Sequence, residues 1–331
     1  MALAGARIRS GVALSFPPRS RLAIGCSAIV LLTLTCTSID AQQLAREQWG
    51  GTPVTVSHEN GKWIIAGKQH KVTLDERNFA LMIETRAAKW STVGSPAHDM
   101  LLKTGADEFA AGLSQAKQIE TVPYDAGFKT GVKISLGGWS HNSSNLDLKL
   151  FLTICLEGRD EDLVFDIAAS ESETTLRQLD WPGALDARDI DYTVLSNGRG
   201  TLLPRKWPKE YYPIRTVTPE GKIATTDHSL LQSHVIESWS MSWWGFQKNK
   251  SAMMIIVETP DDAAYQFKHP AGGPTEIGPR WRAQLERFSY PRSARMIFFD
   301  NGNYVEMAKR YRRYVMDTGL FVSLKEKTAR T

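Results

Sequence analysis

The residue types that could do chemistry gather between Trp207 and Trp244. His228, His234 and Glu237 lie close together in this stretch. On a strand His228 and His234, six positions apart, share a face, and Glu237 points to the other. Epimerising a sugar takes a base and an acid on opposite sides of the ring, so a His/Glu set is one candidate for that work. The plainer reading is a group of ordinary loop and strand residues. Their spacing matches no metal-ligand pattern.

The aromatics of the same stretch carry more information. Trp207, Tyr211, Tyr212, Trp239, Trp243 and Trp244 are interleaved with Pro204, Pro208 and Pro213. Indole and phenol rings offer flat apolar faces with a polar edge, which suits the C–H face of a sugar ringed by hydroxyls. Trp207, Tyr211, Tyr212, Trp243 and Trp244 are therefore the candidate carbohydrate contacts. Each has a second reading as core packing. Trp207-Pro208 and Tyr211-Tyr212, placed in a loop, are the better exposed of the set. Elsewhere the chain has no Gly-rich phosphate loop, no G-x-S-x-G elbow, no H-E-x-x-H and no paired-Cys site. The sequence thus implies no cofactor, no metal and no catalytic residue.

These residues need elements to hold them. The organising stretch runs from Glu237 to Ala264. An aromatic run is followed by the polar turn Gln247–Lys250, then by the continuous apolar run Met253–Val257. Two β-prone runs around a short polar loop make a hairpin. The second run is apolar on both faces, which places it centrally in a layered sheet, covered above and below. Further strands are expected at Lys62–Ala66, Val72–Leu74, Phe79–Thr85, Gly127–Leu136, Leu146–Leu156, Leu163–Ala169, Thr174–Leu179, Asp191–Leu195 and Gly200–Leu203. A tight turn at Asn197-Gly198 splits the last two. Asp99–Leu113 is the one weak helical candidate before the C-terminus. This pattern points to an all-β protein, a large two-sheet antiparallel β-sandwich.

The end of the chain differs. Asn303 can cap a helix, with Glu306 completing a capping box. Tyr304, Ala308, Tyr311 and Val315 recur at helical spacing as one apolar stripe. Lys309, Arg310, Arg312 and Arg313 read as a solvated basic face, and Gly319 as the left-handed residue that ends the helix.

The chain has 331 residues and a formal charge of +4. Residues 1–41 read as a signal peptide, with four arginines ahead of the apolar run Leu22–Leu34 and a cleavage site before Gln42. That run is shorter than the ~20 residues of a membrane span. Cys26 and Cys36 sit in poor contexts for a lipid anchor, so full cleavage into the periplasm or medium is expected. Removing four arginines and one aspartate brings the charge to about +1, which gives no support for a nucleic-acid partner. Cys155, the only cysteine left, stands among apolar residues as a buried inert thiol. Asn142-Ser143-Ser144 is a glycosylation sequon.

The segments Leu179–Pro182, Leu195–Pro204, Trp243–Phe246, Ile255–Ala263 and Tyr304–Arg312, with Gly319 and Leu324–Lys327, come in an order that resembles one architecture. It is the N-terminal galactose-mutarotase-like β-sandwich of large retaining glycoside hydrolases, the endo-α-N-acetylgalactosaminidase-like and related α-glycosidase families. The resemblance runs from about Gly51 to Lys327. It implies residues 42–300 as the sandwich and 301–331 as a helix and tail leading toward a (β/α)₈ barrel, which carries the two catalytic carboxylates in those enzymes. Those carboxylates have no counterpart here. The chain is expected to be a non-catalytic, carbohydrate-associated domain, with Tyr304, Ala308, Tyr311 and Val315 packing against the sandwich or meeting a barrel in cis or trans. Its alternatives are a mutarotase-type epimerase and a stand-alone carbohydrate-binding module.

Overall fold

The computed structural model describes residues 48, 50–206, 214–217, 223–226, 230–234, 239–268, 275–283 and 285–329. The expected signal peptide lies outside them. The chain begins with a five-stranded meander, β1 (Thr55–Glu59), β2 (Lys62–Ala66), β3 (Lys71–Asp75), β4 (Leu81–Glu84) and β5 (Lys89–Ser91). β6 (Met100–Thr104) and β7 (Asp107–Ala111) lead to β8 (Gln118–Asp125) and β9 (Lys129–Gly137). A small hairpin, β10 (Ser140–His141) and β11 (Ser144–Asn145), precedes the long pair β12 (Lys149–Glu157) and β13 (Asp162–Ser170). Then come β14 (Thr174–Leu179), β15 (Tyr192–Asn197), β16 (Thr201–Pro204), β17 (Ile214–Val217), β18 (Ile223–Thr226) and β19 (Leu230–His234). The last strands are β20 (Trp239–Lys248), β21 (Ser251–Val257), β22 (Ala263–Lys268), β23 (Glu276–Arg282) and β24 (Arg292–Phe299). Helices α1 (Tyr304–Asp317) and α2 (Leu324–Ala329) follow.

Two large antiparallel sheets form the sandwich. One has nine strands in the order β16-β15-β20-β21-β24-β13-β12-β9-β8, and the other has six in the order β19-β22-β23-β14-β6-β7. The meander β1–β5 is a third sheet beside them. Side chains from all three share one core: Ile154, Phe165 and Met253 from the first, Leu102, Leu176 and Trp281 from the second, Ile65, Val72 and Ile83 from the third.

β21 sits in the middle of the nine-stranded sheet and every residue in it is buried. Met253, Ile255 and Val257 face the inter-sheet core. Ala252, Met254 and Ile256 face outward and are covered by Met307, Ala308, Tyr311 and Tyr314 of α1. A strand apolar on both faces thus has a layer above and a layer below.

α1 starts where expected: Asn303 Oδ1 accepts from Val305 N at 2.8 Å. It ends at Gly319, whose φ is +72°. Three expectations are corrected. The inward stripe is rotated toward Met307 and Tyr314, and Tyr304 is 49% exposed. The basic face is only partly solvated, because Arg310 pairs with the nearly buried Asp162 and Arg313 with Asp160. Asp99–Leu113 is not helical either. Met100 and Leu102 are buried on one side of β6, Gly105 turns the chain with φ +56°, and only Leu113–Gln115 makes a 3-10 turn.

Candidate functional site

Trp207, Tyr211, Tyr212, His228 and Glu237 lie outside the described residues. His234 ends the edge strand β19, opposite Ala264. Trp243 and Trp244 are consecutive in β20 and so face opposite ways. Trp244 is fully buried in the inter-sheet core, edge-on to Trp239 at 5.6 Å. Trp243 is buried under α1, 6.5 Å from the Tyr311 ring. Neither presents a ring face to solvent, so in this structure both pack the fold. Cys155 is buried and forms no disulfide among the described residues.

The structure shows a different concave site, a cavity of about 320 Å³ beside the end of β14. Three pieces of chain form it. The β5–β6 connection supplies Val93 to Pro96 and Asp99, the chain leaving β14 supplies Asp180 to Ala184, and β22 and β23 supply Gln266, Glu276 and Pro279. Phe79 completes the wall. Close backbone approach makes this possible. A Cβ on Gly183 would fall 2.3 Å from Val93 O, and one on Gly278 would fall 3.0 Å from Ala184 Cα. Val93 N donates to Ala184 O at 2.8 Å, and Trp281 Nε1 donates to Trp181 O at 2.6 Å. The Trp181–Pro182 peptide is cis.

Two buried carboxylates meet there. Asp180 forks onto Arg280, with Nε to Oδ1 at 2.6 Å and Nη2 to Oδ2 at 2.5 Å. Asp180 N donates to Asp99 O at 2.7 Å. Asp99 accepts from Leu113 N at 2.8 Å and from the Ser95 hydroxyl. Burial pushes the Asp99 carboxyl up to about 6; its two hydrogen-bond donors oppose the rise and the charge of Asp180 adds to it. Burial also raises Asp180, against the pull of Arg280. Asp99 can hold a proton in mildly acid solution. Among the described residues no group of three or more His, Cys, Asp or Glu is placed to hold a metal ion. Sequence reasoning missed this site. Asp180-Trp181-Pro182-Gly183 reads as a strand terminator, and the partners Asp99 and Arg280 are remote in the chain.

A second polar cluster lies on the outer face of the nine-stranded sheet. Arg295 of β24 pairs with Glu157, Asp162 and Glu258, at 2.6, 2.8 and 2.9 Å. Arg310 reaches the same Asp162 from α1, and Lys129 pairs with Asp166 at 2.6 Å. Burial, with Glu258 alongside, pushes the Tyr314 phenol well above its usual range. The group pins α1 onto the sheet.

Fold and site together define a layered antiparallel β-sandwich protein with a C-terminal helix packed on its larger sheet. No family model matches the chain, and no curated protein matches it. Among solved structures it is similar to α-N-acetylgalactosaminidase NagBb from Bifidobacterium bifidum. The GalNAc complex of that enzyme aligns over 83% of this chain with a TM-score of 0.63 and 21% identity, and the ligand-free form over 83% with 0.60 and 22%. The complex with Gal-NHAc-DNJ aligns over 81% with 0.62 and 22%. This chain spans about 40% of the length of that enzyme. No helix among the described residues is long and apolar enough to cross a membrane.

Proposed function

We propose that this chain is an exported, non-catalytic β-sandwich of galactose-mutarotase type, the accessory part of a glycoside hydrolase whose bond-breaking barrel is a separate unit. The observation that supports it most is the shared fold, which covers over four fifths of this chain and about 40% of a glycosidase. The aromatic stretch with Trp207, Tyr211 and Tyr212 supplies the carbohydrate contacts. The apolar residues α1 leaves exposed, Tyr304 among them, supply the surface for a (β/α)₈ barrel in cis or trans. Cleavage after Ala41 delivers the sandwich outside the cytoplasm.

The test is to incubate the purified chain with α-linked N-acetylgalactosaminides and with free aldoses. It should turn over neither, and it should bind glycans through a surface weakened by Trp207→Ala or Tyr211→Ala. An enzymatic rate of α-glycoside cleavage by the chain alone sinks the accessory role. Epimerised aldose would make it an enzyme of mutarotase type. Intact-mass measurement of the exported product checks the start at Gln42.

A further inference from the structure

We propose that the β12–β13 turn is a strap with two ends. Its Glu161 carboxylate fills an anion nest in the β2–β3 turn, its flanking aspartates hold α1, and emptying the nest loosens the helix. The strap is independent of the accessory role, although α1 carries the surface given there to a partner.

Glu161 is fully buried. Its Oε1 accepts from the Thr52 hydroxyl and from Lys68 N at 2.7 Å, and its Oε2 accepts from Gln69 N and His70 N at 2.8 and 3.0 Å. Consecutive backbone N–H groups aimed at one point make a concavity that binds an anion. The fit is close: a Cβ on Gly67 would lie 2.5 Å from Glu161 Cδ. Burial opposes ionisation of this carboxyl, but the hydroxyl and the three amides outweigh it and hold it below the usual carboxylate range. His70 Nδ1 donates to Glu161 O at 3.0 Å, since a carbonyl only accepts. These bonds keep Glu161 at φ +55°, a left-handed conformation that a residue with a Cβ seldom holds unaided. Its neighbours reach the other way. Asp162 receives Arg310 of α1 and Arg295 of β24, and Asp160 receives Arg313 of α1. With the carboxylate gone, position 161 relaxes toward negative φ, and that rotation draws both aspartates off the arginines of α1. One backbone position is thus the two-state element that couples the meander to the helix.

The test is amide hydrogen exchange on the full chain, read at Lys68, Gln69 and His70 and along α1. Glu161→Ala should speed exchange at both places, in α1 by about tenfold, a usual size for coupling between two sites. Leu176→Ala, a core truncation in the six-stranded sheet, controls for general loss of stability. Thr52→Val removes one donor and leaves the carboxylate in place. It should give the same pattern at lower amplitude, which keeps the test available if Glu161→Ala does not fold. Coupling is reciprocal, so Arg310→Met should speed exchange at Lys68, Gln69 and His70. Formate added to Glu161→Ala should refill the nest and slow those three amides, yet leave α1 fast, because formate is not tethered to the hairpin. Sodium chloride at equal ionic strength should slow neither. No slowing by formate, or equal slowing by chloride, overturns the carboxylate nest. An α1 unchanged in both Glu161→Ala and Thr52→Val, an α1 equally fast in Leu176→Ala, or an α1 restored by formate overturns the strap. Glycoside turnover by the chain alone removes the accessory role and leaves these outcomes as they are.

Discussion

Met307 of α1 seats on Gly245 of β20: a Cβ added at Gly245 would lie 2.4 Å from Met307 Sδ and 2.8 Å from Met253 O. The helix approaches the sheet because this strand position has no side chain. Gly245→Ala should therefore destabilise the fold by about 1–3 kcal/mol through overpacking. Met307→Ala, at a fully buried position, should cost about 2–5 kcal/mol. Urea unfolding of both singles and the double variant checks this. The pair share one contact, so the double should cost less than the sum. A neutral Gly245→Ala would mean that α1 does not rest where the structure puts it.

Asp162 ties α1 to the sheet by charge as well. It receives both Arg295 and Arg310, and all three side chains are largely buried. Asp162→Ala leaves two guanidinium groups facing each other without that anion, at a cost of about 3–5 kcal/mol. Arg313→Ala, in the exposed pair with Asp160, should cost under about 1 kcal/mol. The contrast between the two, measured in one denaturation series, separates a structural ion cluster from surface decoration. Equal effects would refute the assignment.

The layered architecture was legible because local pattern controls it. Met253–Val257 is apolar on both faces, and such a strand has few places to go other than the middle of a covered sheet. The cap at Asn303 and the stop at Gly319 were legible for the same reason, since each depends on neighbours within a turn. The helix stripe was only roughly legible. Tyr304 and Met307 both fit the apolar periodicity, and the gap at Gly245, on another element, selects Met307. The pocket could not be read at all. Asp99, Asp180 and Arg280 are joined by hydrogen bonds over long sequence separations, and no local pattern carries such a contact. Trp243 and Trp244 show the reverse failure. An aromatic suited to a sugar face is equally suited to a core, and only the sheet pairing decides between them.

Trp244 and Trp207 should behave oppositely when truncated. Trp244 is fully buried against Trp239, so Trp244→Ala should cost about 3–5 kcal/mol. Glycan affinity measured on the folded fraction should be unchanged. Trp207→Ala, at the proposed glycan contact, should lower glycan affinity and shift stability by about 0.5 kcal/mol or less. Parallel melting and binding measurements on the two variants check this. A Trp244→Ala protein of full stability that loses sugar binding would reverse the roles given to the two rings.

The proton on Asp99 should set part of the pH dependence of stability. Its pKa stands at about 6 in the folded chain against an ordinary value of 3.8. Between those two pH values the folded chain keeps the proton and the unfolded chain has lost it. Stability from this group is therefore full below about pH 4, falls as pH rises toward 6, and stays lost above that. Two pKa units correspond to at most about 3 kcal/mol. Burial raises Asp180 as well, so it adds a slope of the same sign. Asp99→Asn keeps an acceptor for Leu113 N and removes the buried charge. The variant should match the parent near pH 4 and exceed it by about 1–2 kcal/mol at pH 7. Urea midpoints collected across that interval decide the matter: two curves that run parallel would show that Asp99 is already ionised at pH 4, and that the buried carboxyl does not hold its proton.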